Sequence, residues 1–245
     1  MSLRSWLLAL AAFGCGSHAA AVPDAPELID ASSGARTHTL YLNFGDPAMH
    51  GVTLAPGSAD DATQNISSLV TSPTTLAPYL GSAADRAVQI SNLVAEVSNI
   101  LAPYDIDVVT TMPTSGTFMM VVSTDTASTA LACTDCPALA PGDCGAVDSP
   151  IAFNFGAGSG SALPVHGFTT DTVAMAGLSI LGIPTSAVPD DCMCFSDANC
   201  VFPPDRQCSI GGAGTAISQT KPGCPTSDTV MNESGLFLAG FGPHS

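Results

Sequence analysis

Eight of the nine cysteines fall between Cys133 and Cys224, and no other feature of the sequence limits the fold as tightly. They are Cys133, Cys136, Cys144, Cys192, Cys194, Cys200, Cys208 and Cys224, while the ninth, Cys15, stands apart near the start. An even set in an oxidising compartment reads as four disulfides, with roughly a hundred connectivities open. Cys133-Thr-Asp-Cys136 has the spacing of half a zinc ribbon, but no second C-x-x-C answers it. Exported thiols oxidise, so a disulfide is the stronger reading there.

The beginning of the chain points to the same compartment. Arg4 precedes a short apolar run from Trp6 to Phe13, and Ala19-Ala20-Ala21 has the small residues of a cleavage site. Residues 1–21 therefore read as a secretory signal peptide, with Val22 as the new N-terminus. Gly14-Cys15 offers an alternative, a lipoprotein anchored at the cell surface through Cys15, although Ala12 and Phe13 make a poor lipobox. Either route gives a secreted or surface-held protein. Residues 22–37 are Pro-, Ala- and Ser-rich and read as an extended linker.

Charge then narrows the partners. The full chain carries 5 basic and 21 acidic residues, a net charge of −16, and loss of Arg4 with the leader makes it −17. So little basic charge cannot neutralise a phosphate backbone, which excludes nucleic acid and anionic membrane surfaces as partners. No other apolar run reaches the roughly 18 residues of a membrane-spanning helix.

Hydrophobic periodicity supplies the elements. Leu40, Leu42 and Phe44 alternate along Thr39–Phe44, the mark of a strand. Residues 45–80 are polar and punctuated by proline, and read mostly as loop. Ser82 with Asp85 resembles a capping box. After it Val88 or Ile90, Leu93, Val97 and Ile100 or Leu101 recur at helical spacing, until Pro103. Ile106–Thr111 and Thr117–Ser123 read as strands, and the intervening Pro113-Thr-Ser-Gly116 predicts that they are neighbours. Residues 131–150 form a stapled loop and Ile151–Phe155 an edge strand. An apolar helix starts near Thr170-Asp171 and ends by Pro184. Residues 185–227 read as cysteine-rich coil, followed by a short terminal helix over about residues 228–239. This order is that of an α+β domain.

Several local phrases resemble the secreted bacterial zincin metalloproteases of the metzincin type. They are Tyr41-Leu-Asn-Phe44 at the first strand, Leu101-Ala-Pro-Tyr-Asp-Ile-Asp-Val108 after the first helix, and Ile151-Ala-Phe-Asn-Phe155. Asp191-Cys-Met193 matches a methionine turn, with Met193 at its methionine, and Asn232 with Leu236 and Leu238 the terminal helix. The resemblance implies a zincin-like domain over 38–245, with a mixed twisted sheet, two main helices and cysteine-rich segments at 131–150 and 185–227. It also implies that Ile151–Phe155 lies along a substrate cleft.

That family places H-E-x-x-H-x-x-G-x-x-H on its second helix: two histidines one turn apart bind zinc, and the glutamate activates the metal-bound water. Here one register sets Ala174, Met175 and Leu178 at the ligand, base and ligand positions, with Pro184 at the third ligand. Anchoring on Gly182 instead gives Met175, Ala176, Ser179 and Thr185. No histidine occurs between His166 and His244, so neither register supplies the motif. Zinc is not expected, and the catalytic residues are absent.

Little else in the chain carries chemistry. His38, His50, His166 and His244 share no ligand spacing. Gly156-Ala-Gly-Ser-Gly160 lacks the lysine of a phosphate loop, and there is no G-x-S-x-G elbow. Asp190-Asp191 and Asp197 with Asn199 offer oxygen ligands to calcium, without the spacing of an EF-hand. The sequence thus predicts an exported, catalytically inactive zincin-like protein that binds a peptide or protein or serves structurally. The alternatives are an active secreted hydrolase or metallopeptidase working from a site not recognised in the sequence, and a lipid-anchored structural protein of the cell surface.

Overall fold

Successive side chains on the strand Met119–Ser123 serve two different cores. Met119 and Val121 join one buried cluster, and Met120 and Val122 the other. A strand hydrophobic on both faces must lie inside a layered structure. The computed structural model describes residues 36–134, 136–141, 148–155, 165–177, 182–194, 207–219 and 228–244. The expected signal peptide, most of the linker, Gly156–Gly160 and Cys144, Cys200 and Cys224 lie outside them.

In chain order the described elements begin with β1 (His38–Asn43), β2 (Val52–Pro56), β3 (Ile66–Ser67), β4 (Thr74–Leu76) and α1 (Arg86–Leu101). Then come β5 (Ile106–Val109), β6 (Met119–Ser123), β7 (Ala138–Leu139), β8 (Ile151–Asn154) and α2 (Val165–Ala176). The last are β9 (Thr185–Ser186), β10 (Ala213–Gln219), β11 (Val230–Asn232) and α3 (Glu233–Phe241). Mixed α+β architecture is what the hydrophobic pattern predicted.

The main sheet has the order β5-β1-β6-β8-β7. Its first four strands are parallel, and the two-residue β7 runs antiparallel to β8 at the edge. On one face, Leu40, Leu42, Val121 and Ala152 pack with Leu93, Val97 and Leu101 of α1, Val173–Ala176 of α2 and Phe237 and Phe241 of α3. On the other face, Ile151, Phe153, Met120 and Val122 pack with Val52, Leu54 and Leu76 of a second sheet, ordered β3-β2-β4. Helices cover one side of the main sheet and this small sheet the other. A third sheet, β11-β10-β9, is formed by the C-terminal part.

Five sequence expectations need correction. Residues 45–80 are not mostly loop: they hold β2, β3 and β4, whose short strands sit among turn residues that masked them. The strands on either side of Pro113–Gly116 are not neighbours, because β1 lies between β5 and β6 and is parallel to both. Ile151–Asn154 is not an edge strand but pairs on both sides, and all four residues are buried. The 185–227 segment is not all coil, since it contains β9 and β10. The terminal helix does not begin near residue 228: Val230–Asn232 form β11, and the helix runs over Glu233–Phe241, burying Phe237 and Phe241.

The first helix starts at Arg86, and Asp85 at its N-cap makes no capping hydrogen bond, so the Ser82 capping box does not form. Arg86 does the anchoring instead: Nε donates to the Tyr79 carbonyl at 2.7 Å, and Nη2 to those of Phe44 at 3.0 Å and Gly45 at 2.7 Å. Val88 is exposed and Leu101 fully buried, which resolves the two alternatives in the helical pattern.

Candidate functional site

The second helix, a tight turn and the start of the terminal helix meet at one place. Residues 171–177 of the second-helix segment are all buried, as an apolar run requires. The helix begins at Val165, five residues before the expected start at Thr170, and its regular part ends at Ala176. Gly182 beyond it has φ +61°, a left-handed conformation natural to glycine.

The turn follows β9. Asp191 donates its amide to the Val188 carbonyl at 3.2 Å, its Oδ1 accepts the Met193 amide at 2.8 Å, and its carbonyl accepts the Cys194 amide at 2.9 Å. Met193 itself is completely buried. A Cβ placed on Gly177 would come within 2.8 Å of Met193 Sδ and 3.0 Å of Phe237 Cζ, so the glycine lets α2, the turn and α3 approach. A disulfide from Cys192 to Cys208 ties the turn to the segment before β10, and Cys194 is disulfide-bonded as well. A second described bridge joins Cys133 and Cys136, which disposes of their reading as zinc ligands. Two of the expected staples are thus in place, with Cys144, Cys200 and Cys224 outside the described residues.

The positions singled out for zinc fall as follows. Ala174 and Met175 are buried in the helix-side core together with Met193. Pro184 is half-buried after Ile183, and Leu178 lies outside the described residues. Of the second register, Ala176 and Thr185 are buried and Ser179 lies outside. Methyl and thioether groups enclosed in a core do not fit a zinc ion, which needs imidazole, thiolate or carboxylate donors. Among the described residues no three such side chains form a metal-binding group.

The structure also buries two acids, Asp171 and Glu233, to which sequence reasoning gave no chemical role, and it sets Glu233 against Asp191, one of the oxygen ligands the sequence offered to calcium. Asp171 on α2 is buried, and burial pushes its carboxyl up to about 7. An isolated acid in an apolar helix was the available signal, spent on marking the helix start. Glu233, the first residue of α3, is fully buried and faces Asp191 of the turn. Burial first, then the neighbouring Asp191 carboxyl, push the Glu233 carboxyl up to about 10. Tyr104 lies near Glu233, and burial together with that charge pushes its phenol up to about 12. A cleft of about 300 Å³ opens alongside, lined by Tyr104, Gln207, Ser209 and Ile210 among others. No spacing rule links residue 191 to 233, so this pairing had no sequence signal.

Among the described residues no two histidines come together as a ligand pair; His166 lies on α2, and the His244 amide donates to the Pro103 carbonyl at 3.0 Å. His38 packs edge-on against Phe241, with ring centroids 5.4 Å apart, and His50 closes a turn with φ +60°. His38 and His244 both lie near Asp105, whose carboxyl is held below its usual range first by the Thr37 hydroxyl and then by these two charges. No helix among the described residues is long and apolar enough to cross a membrane. No protein-family model, curated protein or solved structure matches this chain.

Proposed function

We propose that this is an exported, catalytically inactive zincin-like protein that holds an extended peptide or protein segment beside the main sheet. The observation that carries the reading is the sheet itself, with four parallel strands bordered by a short antiparallel edge strand. Among the described residues β7 pairs only with β8, so its outer edge has backbone groups to offer an added strand. The long α1, the α2 that packs against β7 and β8, and the buried Met193 under the end of α2 agree with the layout implied by the sequence resemblance.

Inactivity follows from chemistry. A zincin generates its nucleophile by lowering the pKa of a zinc-bound water, and this needs a metal and a general base. Ala174 and Met175 supply neither. The disulfides Cys133–Cys136 and Cys192–Cys208 favour an oxidising compartment and hence export.

The test uses the purified full-length secreted protein. Metal analysis should return no stoichiometric zinc, a peptide library should remain uncut, and fluorescent extended peptides should bind without cleavage. Ala174→His, Met175→Glu and Leu178→His together should not restore cleavage, because Pro184 still offers no third ligand. One zinc per chain with chelator-sensitive proteolysis would sink the reading in favour of an active hydrolase. Failure of every peptide to bind would leave a structural role.

A further inference from the structure

Three oxygens crowd the same side of Gly211. A Cβ built there would lie 2.4 Å from Thr215 Oγ1, 2.7 Å from Asp191 Oδ2 and 3.1 Å from Glu233 Oε2. Glu233 is fully buried and Asp191 3 % exposed. Neither oxygen of Glu233, nor Oδ2 of Asp191, has a hydrogen-bond partner. Two facing acids out of water, with no third group hydrogen-bonded to them, are a severe expense in free energy unless a proton or a cation lies between them.

The described basic side chains are committed elsewhere. Arg36 donates to the Ile106 carbonyl, and Arg86 to the three carbonyls at the start of α1. We infer that Asp191, Glu233 and Thr215 form a binding site for a hard divalent cation of the calcium class. Independently of any reading of the zinc positions, the donors are all oxygen, which suits calcium rather than zinc. Thr215 Oγ1 gives its proton to the Gly212 carbonyl at 2.8 Å, leaving its lone pairs for a cation. Magnesium demands near-regular octahedral geometry and keeps its waters, so this enclosed and irregular set favours the larger ion.

The site has a mechanical consequence. Asp191 belongs to the turn that carries Met193, Thr215 to β10 and Glu233 to the first turn of α3. A cation bound to all three locks the C-terminal part onto the helix-side core, next to the Cys192–Cys208 bridge.

The experiment is calcium titration of chelator-treated, full-length protein, followed by thermal unfolding and calorimetry. Melting should rise by roughly 3–6 °C when calcium reaches ten times its dissociation constant, with magnesium much weaker. Glu233→Gln keeps the shape of the side chain and should abolish both the heat of binding and the rise in melting temperature. Thr215→Val should weaken binding, and decides the matter if Glu233→Gln does not fold. Calcium binding retained at wild-type strength in Glu233→Gln would place the ion elsewhere and overturn the assignment. Absence of any calcium effect in the wild type would overturn it too, and would leave a proton shared by the two acids.

Discussion

Met193 Sδ occupies the space that a side chain on Gly177 would need, at 2.8 Å from the position of its Cβ. The end of α2 and the turn below it are therefore fitted to each other through a missing methyl group. Gly177→Ala should destabilise the protein by about 1–3 kcal/mol, the usual range for overpacking. That is a fall of roughly 2–12 °C in melting temperature for a chain of this size. Because Phe237 Cζ stands only 3.0 Å away, the thioether cannot simply swing aside. Met193→Ala alone should also destabilise, but the double variant should lose less than the sum of the two, as a double-mutant cycle reads directly.

The buried acid on α2 gives a pH dependence with a definite sign. Asp171 titrates near about 7 in the fold against 3.8 in an unfolded chain. The folded state thus holds its proton more tightly. Stability is unaffected by this group below about pH 4, falls as pH rises toward 7, and stays reduced above. The full loss is about 4 kcal/mol. Asp171→Asn should remove that slope and leave a protein more stable than the wild type at pH 8, with near-equal stability at pH 4. Denaturant unfolding at a series of pH values checks it.

The two described disulfides should differ in resistance to reductant. Cys192 is fully buried and Cys208 is 5 % exposed, whereas Cys133 and Cys136 are half-buried on the surface side. Mild reduction followed by alkylation and mass mapping should label Cys133 and Cys136 first. The Cys192–Cys208 bridge spans a sequence separation of 16 residues. Replacing both of its cysteines with serine should cost about 3 kcal/mol. Equal labelling of all four cysteines at the first time point would contradict the expected order.

Placing a charged residue in the buried face of α2 should harm the fold. Ala174 is fully buried and Met175 is 1 % exposed. Met175→Glu places a carboxyl in that core with no designed partner, a change expected to cost about 2–5 kcal/mol. Met175→Leu, by contrast, should cost less than about 1.5 kcal/mol. Comparable melting temperatures for the two variants would mean that position 175 is open to water.

The legibility of the sequence followed the length of each signal. α1 was readable because Leu93, Val97 and Leu101 recur one turn apart, and β1 because Leu40 and Leu42 alternate. β7 has two residues and no period to detect. Ile151–Asn154 was recognisable as a strand, but its position was misread. Burial on both faces belongs to an interior strand, and the Ala-Phe-Asn run looks the same on an edge. Pro113–Gly116 marks a turn truthfully, yet a turn does not say that the flanking strands pair. At the site, the absence of a histidine pair was plain in the letters. The meeting of Asp191 with Glu233 was not, because it depends on β10 and β11 bringing distant segments together.

The strand order also dictates when the chain can fold. β1 is the first strand of the main sheet to be made and lies between two others, pairing Leu40 with Val108 on one side and Met119 on the other. Neither partner exists as the first strand emerges. Leu40 and Leu42 must wait through α1 and two further strands before they are covered, and the sheet is not complete until Ile151–Asn154 arrives. Long-range parallel pairing of this kind pays loop-closure entropy before any contact rewards it, which makes folding slow. A chain made N-terminus first therefore spends its most adhesive interval with an interior strand bare. Its strongly acidic surface keeps such half-made molecules from associating until the last strand closes the sheet.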